Sequence, residues 1–344
     1  MAVLKISQFI EKALFDKNSG YYKTKNPIGK NSDFITSSEI SQIFGEIIAI
    51  YILQIFATKN CAISLVEMGA GKGTWFFDIL FSIRKLAEKK VAIAVDFMSK
   101  ASFHIIEINP VLIKSQQEKL QNFTINWHEN FEEFLKKKPK SEIFFISNEL
   151  FDCFAIDQYI LTEIGWRERL IDVENKVFTL DSFDKKTNEF VKNNLGENNN
   201  LAPFGAVFEY SKTARSFMEK LCRALKENGG LAINIDYGYF KNIFANSLQA
   251  VKNHKKVSIF ENIGEADLTA HVDFCALDSI AKASELNSSF VNQREFLTAL
   301  GILERKERLI IENLTIKHEI DLAVDRLIDF NQMGEIFKVH IIWP

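Results

Sequence analysis

A β-prone strand meets a helix in the segment Ser64-Leu65-Val66-Glu67-Met68-Gly69-Ala70-Gly71-Lys72-Gly73-Thr74. The apolar run ends in Glu67, three glycines follow at alternate positions, and a helical pattern covers Trp75–Lys89. Glycine allows backbone angles, and a close approach of a ligand, that a Cβ prevents. The start of the helix adds N–H groups that have no partner within the helix. The segment therefore predicts a ligand-binding strand–turn–helix, and the carboxylate of Glu67 favours a cationic ligand over a phosphate.

Three kinds of nucleotide-binding loop compete for this pattern. The dinucleotide fingerprint G-x-G-x-x-G does not match Gly69-x-Gly71-x-Gly73, because the third glycine comes one position early. The phosphate-binding P-loop needs Ser or Thr after Gly-Lys, but Gly73 follows Lys72. The remaining interpretation is the E-x-G-x-G-x-G loop that binds S-adenosylmethionine (SAM), whose amine and sulfonium suit an acid. A purely structural turn between strand and helix is the alternative.

A second acidic strand end supports the ligand-binding interpretation. The run Ser102–Glu107 is apolar until its last residue, and Asn109-Pro110 then opens a helix over Val111–Leu120. In a βαβ unit, an acid at the end of the second strand accepts hydrogen bonds from ribose hydroxyls. Glu107 follows Glu67 by 40 positions, about twice the usual separation, so the connection between the two strands must be extended. A solvated strand end is the alternative.

Strands and helices alternate through the centre of the chain. The predicted elements are strand 62–67, helix 74–89, strand 102–107, helix 110–120, strand 123–127, helix 130–137 and strand 142–147. This alternation predicts an α/β fold with a mostly parallel sheet and helices on both faces. Ligands of such sheets bind at the carboxyl ends of the strands, where Glu67 and Glu107 lie.

The flanking sequence predicts additions to this core. Further elements are predicted as helices 6–15, 40–56, 184–200, 211–226, 273–286 and 311–330, and as strands 156–160, 166–173, 177–180, 206–210, 231–235 and 336–343. We divide the chain into an N-terminal helical segment that packs on the ligand site (1–60), a ligand-binding core (61–153 and 204–240), an inserted hairpin with a mobile loop (154–203), and a helical substrate-side segment with a closing strand (241–344).

Polar residues follow the fourth core strand. The apolar run Ile143–Ile146 is followed by Ser147-Asn148-Glu149-Leu150-Phe151-Asp152, and the fifth strand ends at Asp236. An amide and several carboxylates at neighbouring strand ends predict a pocket for a polar or cationic nitrogen. Asn and Asp are also common turn residues, and that interpretation stays open.

Composition limits the partners. The net charge is −3, so no overall field favours nucleic acid or an anionic membrane. The cysteines lack C-x-x-C spacing, and neither they nor the histidines show metal-ligand spacing, so we predict no metal and thiols in a reducing, cytoplasmic compartment. No apolar run approaches 18 residues, from which we predict no membrane span. A homodimer is compatible with the sequence.

Motifs spread over the whole chain resemble the MidA-like family of class I SAM-dependent methyltransferases. The resemblance is carried by Gly20-Tyr21-Tyr22, DFITSSEISQIFGE (33–46), VEMGAGKGT (66–74), IEINP (106–110), NELFD (148–152), Trp166–Arg169, Gly205–Glu209, IDYG (235–238), SLQA (247–250) with His254, GEADLTAHVDFCAL (264–277) and MGEIFKV (333–339). It implies a Rossmann-like fold. The mitochondrial members are complex I assembly factors that methylate an arginine of a complex I subunit, which implies a protein substrate and, for eukaryotic relatives, a mitochondrial matrix location.

The resemblance also implies which residues bind SAM. These are Glu67, the loop residues Gly69, Ala70, Gly71, Gly73 and Thr74, the ribose-side Glu107 and Ile108, and Asn148. Thr36 and Glu39 are expected beside the methionine end, although Thr36-Ser37-Ser38-Glu39 can equally be a helix cap. Glu129 either reaches the adenine amine or serves as a first-turn charge of the next helix.

The acceptor side is expected at Asn148 and Glu149. Glu149 is the predicted base, and Asp152 or Asp236 supports it. His271 and Asp273 either border the acceptor channel or relay a proton, and a purely structural histidine is the alternative. The chain departs from the family on this side, where Cys153-Phe154-Ala155 replaces the usual Ala-Leu-Pro, so the acceptor is less constrained by the resemblance than the chemistry.

Two other functions stay open at this point. The chain would be a non-catalytic, chaperone-like assembly scaffold if it bound SAM without transferring a methyl group. An NAD(P)-dependent oxidoreductase is the weaker alternative, because the glycine spacing departs from the dinucleotide fingerprint.

Overall fold

A computed structural model describes residues 3–24, 40–59, 61–241, 244, 246–253 and 255–344 of the protein. The strands are β1 (Val3–Lys5), β2 (Ile63–Met68), β3 (Ala101–Ile106), β4 (Ile125–His128), β5 (Glu142–Asn148), β6 (Asp157–Thr162), β7 (Gly165–Asp172), β8 (Val177–Leu180), β9 (Val207–Tyr210), β10 (Gly230–Tyr239), β11 (Gln249–Lys252), β12 (Lys255–Val257), β13 (Asp267–Thr269), β14 (Val272–Asp273), β15 (Asn287–Asn292) and β16 (Phe337–Trp343).

The helices alternate with these strands in the core and cluster near the C-terminus. They are α1 (Ile6–Phe15), α2 (Tyr21–Thr24), α3 (Gln42–Lys59), α4 (Thr74–Glu88), α5 (Ala92–Lys100), α6 (Pro110–Lys119), α7 (Phe131–Lys137), α8 (Lys185–Leu195), α9 (Lys212–Asn228), α10 (Phe274–Ala283), α11 (Gln293–Ala299), α12 (Ile302–Glu312), α13 (Lys317–Ile328) and α14 (Met333–Ile336).

The main sheet has the strand order β15-β16-β10-β5-β2-β3-β4. The five strands from β10 to β4 run parallel, and β16 pairs antiparallel with both β10 and β15. The predicted parallel sheet is therefore confirmed, as is the closing strand at the C-terminus. Because the parallel strands end at one edge, the loops after β2, β3, β4, β5 and β10 meet there.

Apolar residues cover both faces of this sheet. On one face, Leu65, Phe144 and Ile233 pack in a cluster that includes α3, α4 and α5. On the other face, alternate residues of the same strands, such as Val66 and Phe145, pack against α7, α9 and α10. Burial on both faces explains why these strands read as continuous apolar runs.

Helix α3 has the length and composition of a membrane-spanning helix, with 18 residues and a mean hydropathy of 1.3. It is the one such helix in the described residues, and half of it is buried inside the protein. Phe44 stacks on Trp75 of α4, with ring centroids 5.4 Å apart, and Ile48 and Ile52 are fully buried. Polar and charged residues such as Glu46 interrupt its apolar run, and the helix packs in the core here, one of the two settings of a helix that is apolar all round. The expectation of no membrane span stays a prediction.

Two smaller sheets flank the core. One has the order β1-β7-β6-β9, with β8 also paired to β7, and the other has the order β12-β11-β13. The predicted hairpins at β6, β7 and β8 are confirmed, and segment 204–240 contributes β9 to this sheet and β10 to the main one. A third apolar cluster joins the buried face of α1 to β7 and β13 through residues such as Ile10, Ile171 and Leu268.

Several predicted elements differ from the structure. Helix α5 fills the extended connection between β2 and β3, which shortens predicted helix 74–89 by one residue. A 3₁₀ turn at Leu314–Ile316 separates α12 from α13 within predicted helix 311–330. The apolar pattern continues across this turn, which is why the sequence predicts one helix. The sheet β11–β13 and strand β15 were not predicted.

Candidate active site

The glycine loop after β2 needs its three glycines. Gly69, Gly71 and Gly73 have φ values of 74°, 53° and 74°, a region that side chains with a Cβ rarely adopt. The Gly69 amide donates to the carbonyl of Ile106 at 3.1 Å, which links the loop to the end of β3. Gly73 is the N-cap of α4 and donates to the carbonyl of Ala70 at 2.7 Å. The loop thus turns sharply into the helix, as its sequence predicts.

Glu107 holds a tight turn at the end of β3. Its Oε1 accepts hydrogen bonds from the backbone amides of Ile108 at 2.8 Å and Asn109 at 2.9 Å. Asn109 in turn caps α6, accepting from the amides of Val111 and Leu112. The acid predicted to bind ribose is therefore fixed in orientation by the turn that it stabilises.

Gln116 connects the two strand ends, and sequence reasoning missed it. Its Nε2 donates to the carbonyl of Gly71 at 2.8 Å and to Oε2 of Glu107 at 3.3 Å, and its Oε1 accepts from Nε1 of Trp127 at 3.0 Å. The residue is 0% exposed. A glutamine inside a helical pattern carries no local signal, although its position on the apolar face with Leu112 and Leu120 could have marked it as buried.

Replacing Gln116 with Ala should lower the free energy of unfolding by about 2–4 kcal/mol, because it leaves several buried polar groups without partners. Chemical denaturation of the ligand-free protein measures this change. The neighbouring Gln117 is exposed, so Gln117→Ala is the matched control and should change the free energy of unfolding by less than about 0.5 kcal/mol. Equal effects of the two substitutions would contradict the bridging role.

A cavity of about 670 Å³ opens where the strand ends meet. Its described lining includes many predicted site residues, namely Gly69, Gly71, Glu107, Ile108, Glu129, Asn148, Glu149, Asp152 and His271. It also includes aromatic and polar residues that were not predicted, among them Phe15, Tyr22, Phe154, Tyr237, Gln249, Lys256, Asp267, Thr269 and Arg326. The volume suits a nucleoside-sized ligand together with part of a second reactant.

Other predicted residues do not line the cavity. Glu67, Ala70, Gly73, Thr74 and Asp236 are absent from its described lining. Ala70, Gly73 and Thr74 shape the turn instead, and Thr74 accepts a hydrogen bond from Nζ of Lys119 at 2.5 Å. Thr36 and Glu39 lie outside the described residues.

Glu67 is a buried acid with no salt bridge to any of the residues that the structure describes. It is 3% exposed, and its Oε2 has no hydrogen-bond partner among the residues that the structure describes. Burial, and then the charge of Glu107, raises the pKa of Glu67 to about 8. A cationic group beside it would restore its ionised form, so its chemistry fits the amine of SAM.

The backbone is strained at the end of β5. Glu149 has a φ of 52°, in the left-handed region that residues other than glycine seldom occupy. The amide of Asn148 donates to Oε1 of Glu149 at 3.2 Å, while Oδ1 of Asn148 is buried with no partner among the described residues. Strain of this kind persists where surrounding structure enforces it, often at functional sites. Both side chains face the cavity.

Asp236 fixes this strained turn from behind. Its Oδ2 accepts from the backbone amides of Phe151 at 2.8 Å and Asp152 at 3.1 Å, and its Oδ1 accepts from that of Tyr237 at 2.9 Å. Burial, and then the charges of Asp152 and Glu149, holds the pKa of Asp236 well above its usual range. Because three backbone amides donate to this carboxylate, Asp236 positions the turn that carries Glu149 and Asp152, and its supporting role in catalysis stays a prediction.

Asp152 lies in the cavity and is bonded to Tyr237, whose hydroxyl donates to its Oδ2. Burial raises the pKa of Asp152 to about 6. The same burial raises the pKa of Tyr237 well above its usual range. An acid and a phenol are thus hydrogen-bonded to each other in the wall of the cavity.

His271 and Asp273 have different neighbours in the fold. His271 lines the cavity beside Tyr237, and burial, then the charge of Lys256, lowers its pKa. Asp273 instead caps α10, accepting from the amide of Ala276 at 3.0 Å, and lies 3.5 Å from Arg215. Asp273 is thus engaged in the helix cap and lies outside the described lining of the large cavity, although both residues line a second, smaller cavity. The relay through both residues stays a prediction.

Glu129 lies at the mouth of the cavity, exposed and one residue before Asn130, the N-cap of α7. Glu132 and Glu133 supply the acidic first turn of that helix. The first-turn role is therefore taken by other residues, which leaves Glu129 as a lining side chain. In the described part of the chain, no group of three or more His, Cys, Asp or Glu side chains is arranged to hold a metal ion.

A parallel sheet with a glycine turn and acids at two strand ends is the arrangement expected of a SAM-dependent methyltransferase. Residues 47–291 match the family model described as "Putative S-adenosyl-L-methionine-dependent methyltransferase", and the chain belongs to this family. The resemblance to MidA-like methyltransferases is thereby confirmed, and SAM is the cofactor.

Curated relatives extend over nearly the whole chain. The protein arginine methyltransferase NDUFAF7, mitochondrial, of Danio rerio is 29% identical, with 97% of this chain and 82% of the relative covered. The human protein of the same name is 27% identical, with 98% and 80% covered. A solved structure from Burkholderia thailandensis, described as a "likely methyl transferase" bound to S-adenosyl-homocysteine, has a TM-score of 0.83 at 23% identity, covering 99% of this chain and 88% of that one. It supports the fold.

Proposed function

We propose that this protein is a SAM-dependent protein arginine N-methyltransferase that acts on a respiratory complex I subunit or a similar protein. The observation that carries the proposal is the acidity of the cavity. Its described lining contains the carboxylates of Glu107, Glu129, Glu149, Asp152 and Asp267, against the cations Lys256 and Arg326, which are both exposed. The two curated relatives named above are both protein arginine methyltransferases, which supports the same acceptor.

The main task of the protein in this reaction is to align SAM with the acceptor arginine. When bound, SAM supplies a methyl group on a sulfonium, which is already a good leaving group. An arginine guanidinium is protonated at all physiological pH values, so a carboxylate must orient it and direct nitrogen electron density toward the methyl carbon. Alignment of two reactants lowers a barrier by about 7–11 kcal/mol.

Glu149 is the residue best placed to accept the proton that the guanidinium nitrogen loses. It follows β5 directly, its strained backbone points the side chain into the cavity, and Asn148 holds one carboxylate oxygen at 3.2 Å. Glu107 and Ile108 would hold the ribose, Glu129 the adenine amine, and Glu67 the methionine amine. Asp236 keeps the turn between Glu149 and Asp152 rigid.

Mass spectrometry of arginine methylation in cells with and without the gene tests this function. We expect at least one arginine peptide to lose its methylation when the gene is deleted and to regain it when the purified protein and labelled SAM are added to the extract. Labelling of a residue other than arginine would overturn the acceptor. Binding of SAM without transfer to any fraction of the extract would instead support a scaffold.

A further inference from the structure

Three sheets of the fold meet at one point beside the active-site cavity. Strand β9 belongs to one flanking sheet, β11 and β13 belong to the other, and β14 pairs with β10 of the main sheet. His271 lies between β13 and β14, where the chain passes from the second flanking sheet to the main sheet. Because His271 lines the active-site cavity, the contacts that fix this junction also fix a residue of the cavity wall.

The pairing of β11 with β13 ends just before the junction. Their register pairs Gln249 with Thr269, so Ser247 stands opposite His271 two positions further on. A side chain takes the place of the backbone acceptor there, because the amide of His271 donates to Oγ of Ser247 at 2.9 Å. The position of His271 therefore depends on the hydroxyl group of Ser247.

Glu209 of β9 fixes that hydroxyl group. Its Oε2 accepts a hydrogen bond from Oγ of Ser247, and its Oε1 accepts from the backbone amide of Ser247 at 2.9 Å. An ionised carboxylate only accepts hydrogen bonds, so the Ser247 hydroxyl donates to Glu209 and keeps its lone pairs for the amide of His271. Glu209 thus sets both the place and the direction of the hydroxyl group.

A row of side chains that crosses the first flanking sheet holds Glu209 in turn. The registers of β7, β6 and β9 pair Arg169 with Gln158 and Gln158 with Glu209. Nη1 of Arg169 donates to Oε1 of Gln158 at 3.0 Å, and Nε2 of Gln158 donates to Oε1 of Glu209 at 2.7 Å. Burial raises the pKa of Glu209, and the hydrogen bonds from Ser247 and Gln158 oppose this rise. The carboxylate is thus buried among donors that favour its ionised form.

We propose that Glu209 is a positioning residue for the acceptor side of the active site and acts through Ser247 on His271. Glu209 lies outside the described lining of the large cavity, so its effect reaches the reactants through the wall. The inference rests on the proposed function for its effect on methyl transfer. The cofactor side has its own support, because Gln116 joins the glycine loop to Glu107 by separate hydrogen bonds.

Hydrogen exchange of the His271 amide, followed by NMR in the presence of S-adenosyl-homocysteine, tests the structural link. Ser247→Ala removes the acceptor of this amide, and Glu209→Gln puts a donor group among the donors that surround Glu209. We expect the exchange of the His271 amide to become about 2- to 10-fold faster in both variants, the factor that one hydrogen bond contributes. The amide of Ile108, which donates to Glu107 on the cofactor side, should keep its exchange rate. Ser247→Thr retains a hydroxyl group and should behave like the wild type.

Kinetics of methyl transfer show whether the link serves the reaction. With the arginine peptide identified in the cell extracts as acceptor, Glu209→Gln and Ser247→Ala should lower kcat/KM about 10- to 100-fold, because a small misplacement of aligned groups has an effect of this size. Both variants should bind S-adenosyl-homocysteine with the affinity of the wild type, which also establishes that they are folded.

Glu219→Gln is the matched control for the loss of a carboxylate. Glu219 is an exposed acid of α9, ten positions after Glu209, and lies outside the described lining of the cavity. Its substitution should change neither the exchange of the His271 amide nor the kinetics.

Failure of the inference can be told apart from failure of the proposed function. Native exchange of the His271 amide in both variants, or faster exchange with a native kcat/KM, would show that Glu209 is not a positioning residue of the reaction. Weaker binding of S-adenosyl-homocysteine by both variants would move the effect to the cofactor side and equally overturn the inference. If exchange becomes faster as expected but the wild type methylates no arginine, the link from Glu209 to His271 is confirmed and the proposed function is wrong.

Discussion

Glu149→Gln should lower kcat for methyl transfer by about 10²- to 10⁴-fold, the usual contribution of a positioned general base. Gln keeps the size of Glu and a carbonyl oxygen that can accept from Asn148, but it cannot take a proton from a guanidinium nitrogen. The left-handed backbone at this position, with a φ of 52°, is equally strained for either residue. The substitution therefore isolates the proton-accepting role from the shape of the turn.

Incorporation of labelled methyl groups into the arginine peptide found in cell extracts measures this effect. Calorimetry with S-adenosyl-homocysteine should give the same affinity for wild type and variant. Glu163, exposed in the turn between β6 and β7, offers a control, since Glu163→Gln removes the same charge at a position outside the described lining of the cavity. A Glu149→Gln protein that methylates at the native rate would transfer the base role to Asp152.

The parts of the fold that follow from sequence are those in which local pattern and tertiary role agree. Continuous apolar runs such as Ile143–Ile146 predict strands buried on both faces, and the three glycines of the loop predict positive φ values that the structure has. Glu107, Asn148 and Glu149 could be located because parallel strands bring their carboxyl ends to one edge. One pattern thus predicts both the sheet and the position of these three residues at one cavity.

The remainder depends on contacts that leave no local signal. Strands β11 to β13 are short, polar and partly lysine-rich, and only pairing with each other and packing on α1 makes them strands. The sequence suggests that Asp273 acts together with His271, but in the structure Asp273 caps α10 and is not part of the described lining of the large cavity. Asp236 looks like any acidic strand end until three backbone amides are seen to bond it. Long-range contacts decide the strands β11 to β13 and the bonds that the amides of Phe151 and Asp152 make to Asp236, whereas a local helix cap engages Asp273.

Glu67→Gln should weaken SAM binding about 100-fold and yet stabilise the ligand-free protein. The carboxyl is 3% exposed with a pKa of about 8, raised by burial and then by Glu107, so it is largely protonated at neutral pH. Loss of one member of a buried charge pair costs about 2–5 kcal/mol of binding free energy. The neutral amide of Gln cannot form such a pair with the charged amine of SAM. In the ligand-free protein, the same neutral amide raises the free energy of unfolding, because no ionisable carboxyl has to be buried.

The raised pKa of Glu67 determines how the stability of the ligand-free protein changes with pH. The pKa of Glu67 in the folded protein, about 8, lies above its ordinary value of 4.5, so its stabilising contribution is complete below pH 4.5 and is lost as pH rises toward 8. Burial lowers the pKa of His104 to about 4, so this histidine changes the stability with pH in the opposite direction. That effect is confined to pH values below 6.5. Between pH 6.5 and 8, the difference in free energy of unfolding between Glu67→Gln and wild type should therefore grow by roughly 2 kcal/mol.

Proton release on binding separates Glu67 from the other acids of the site. Titration of SAM at pH 6.5–7, in two buffers of different ionisation enthalpy, should show the wild type releasing close to one proton, because the amine of SAM, with an α-amino pKa of about 7.7–8.0, is charged and drives Glu67 to ionise. Glu67→Gln should release almost none, whereas Glu118→Gln, at an exposed position of α6, should behave like the wild type. Equal proton release by all three proteins would mean that the amine is bound elsewhere and that Glu67 is a neutral acid of the core.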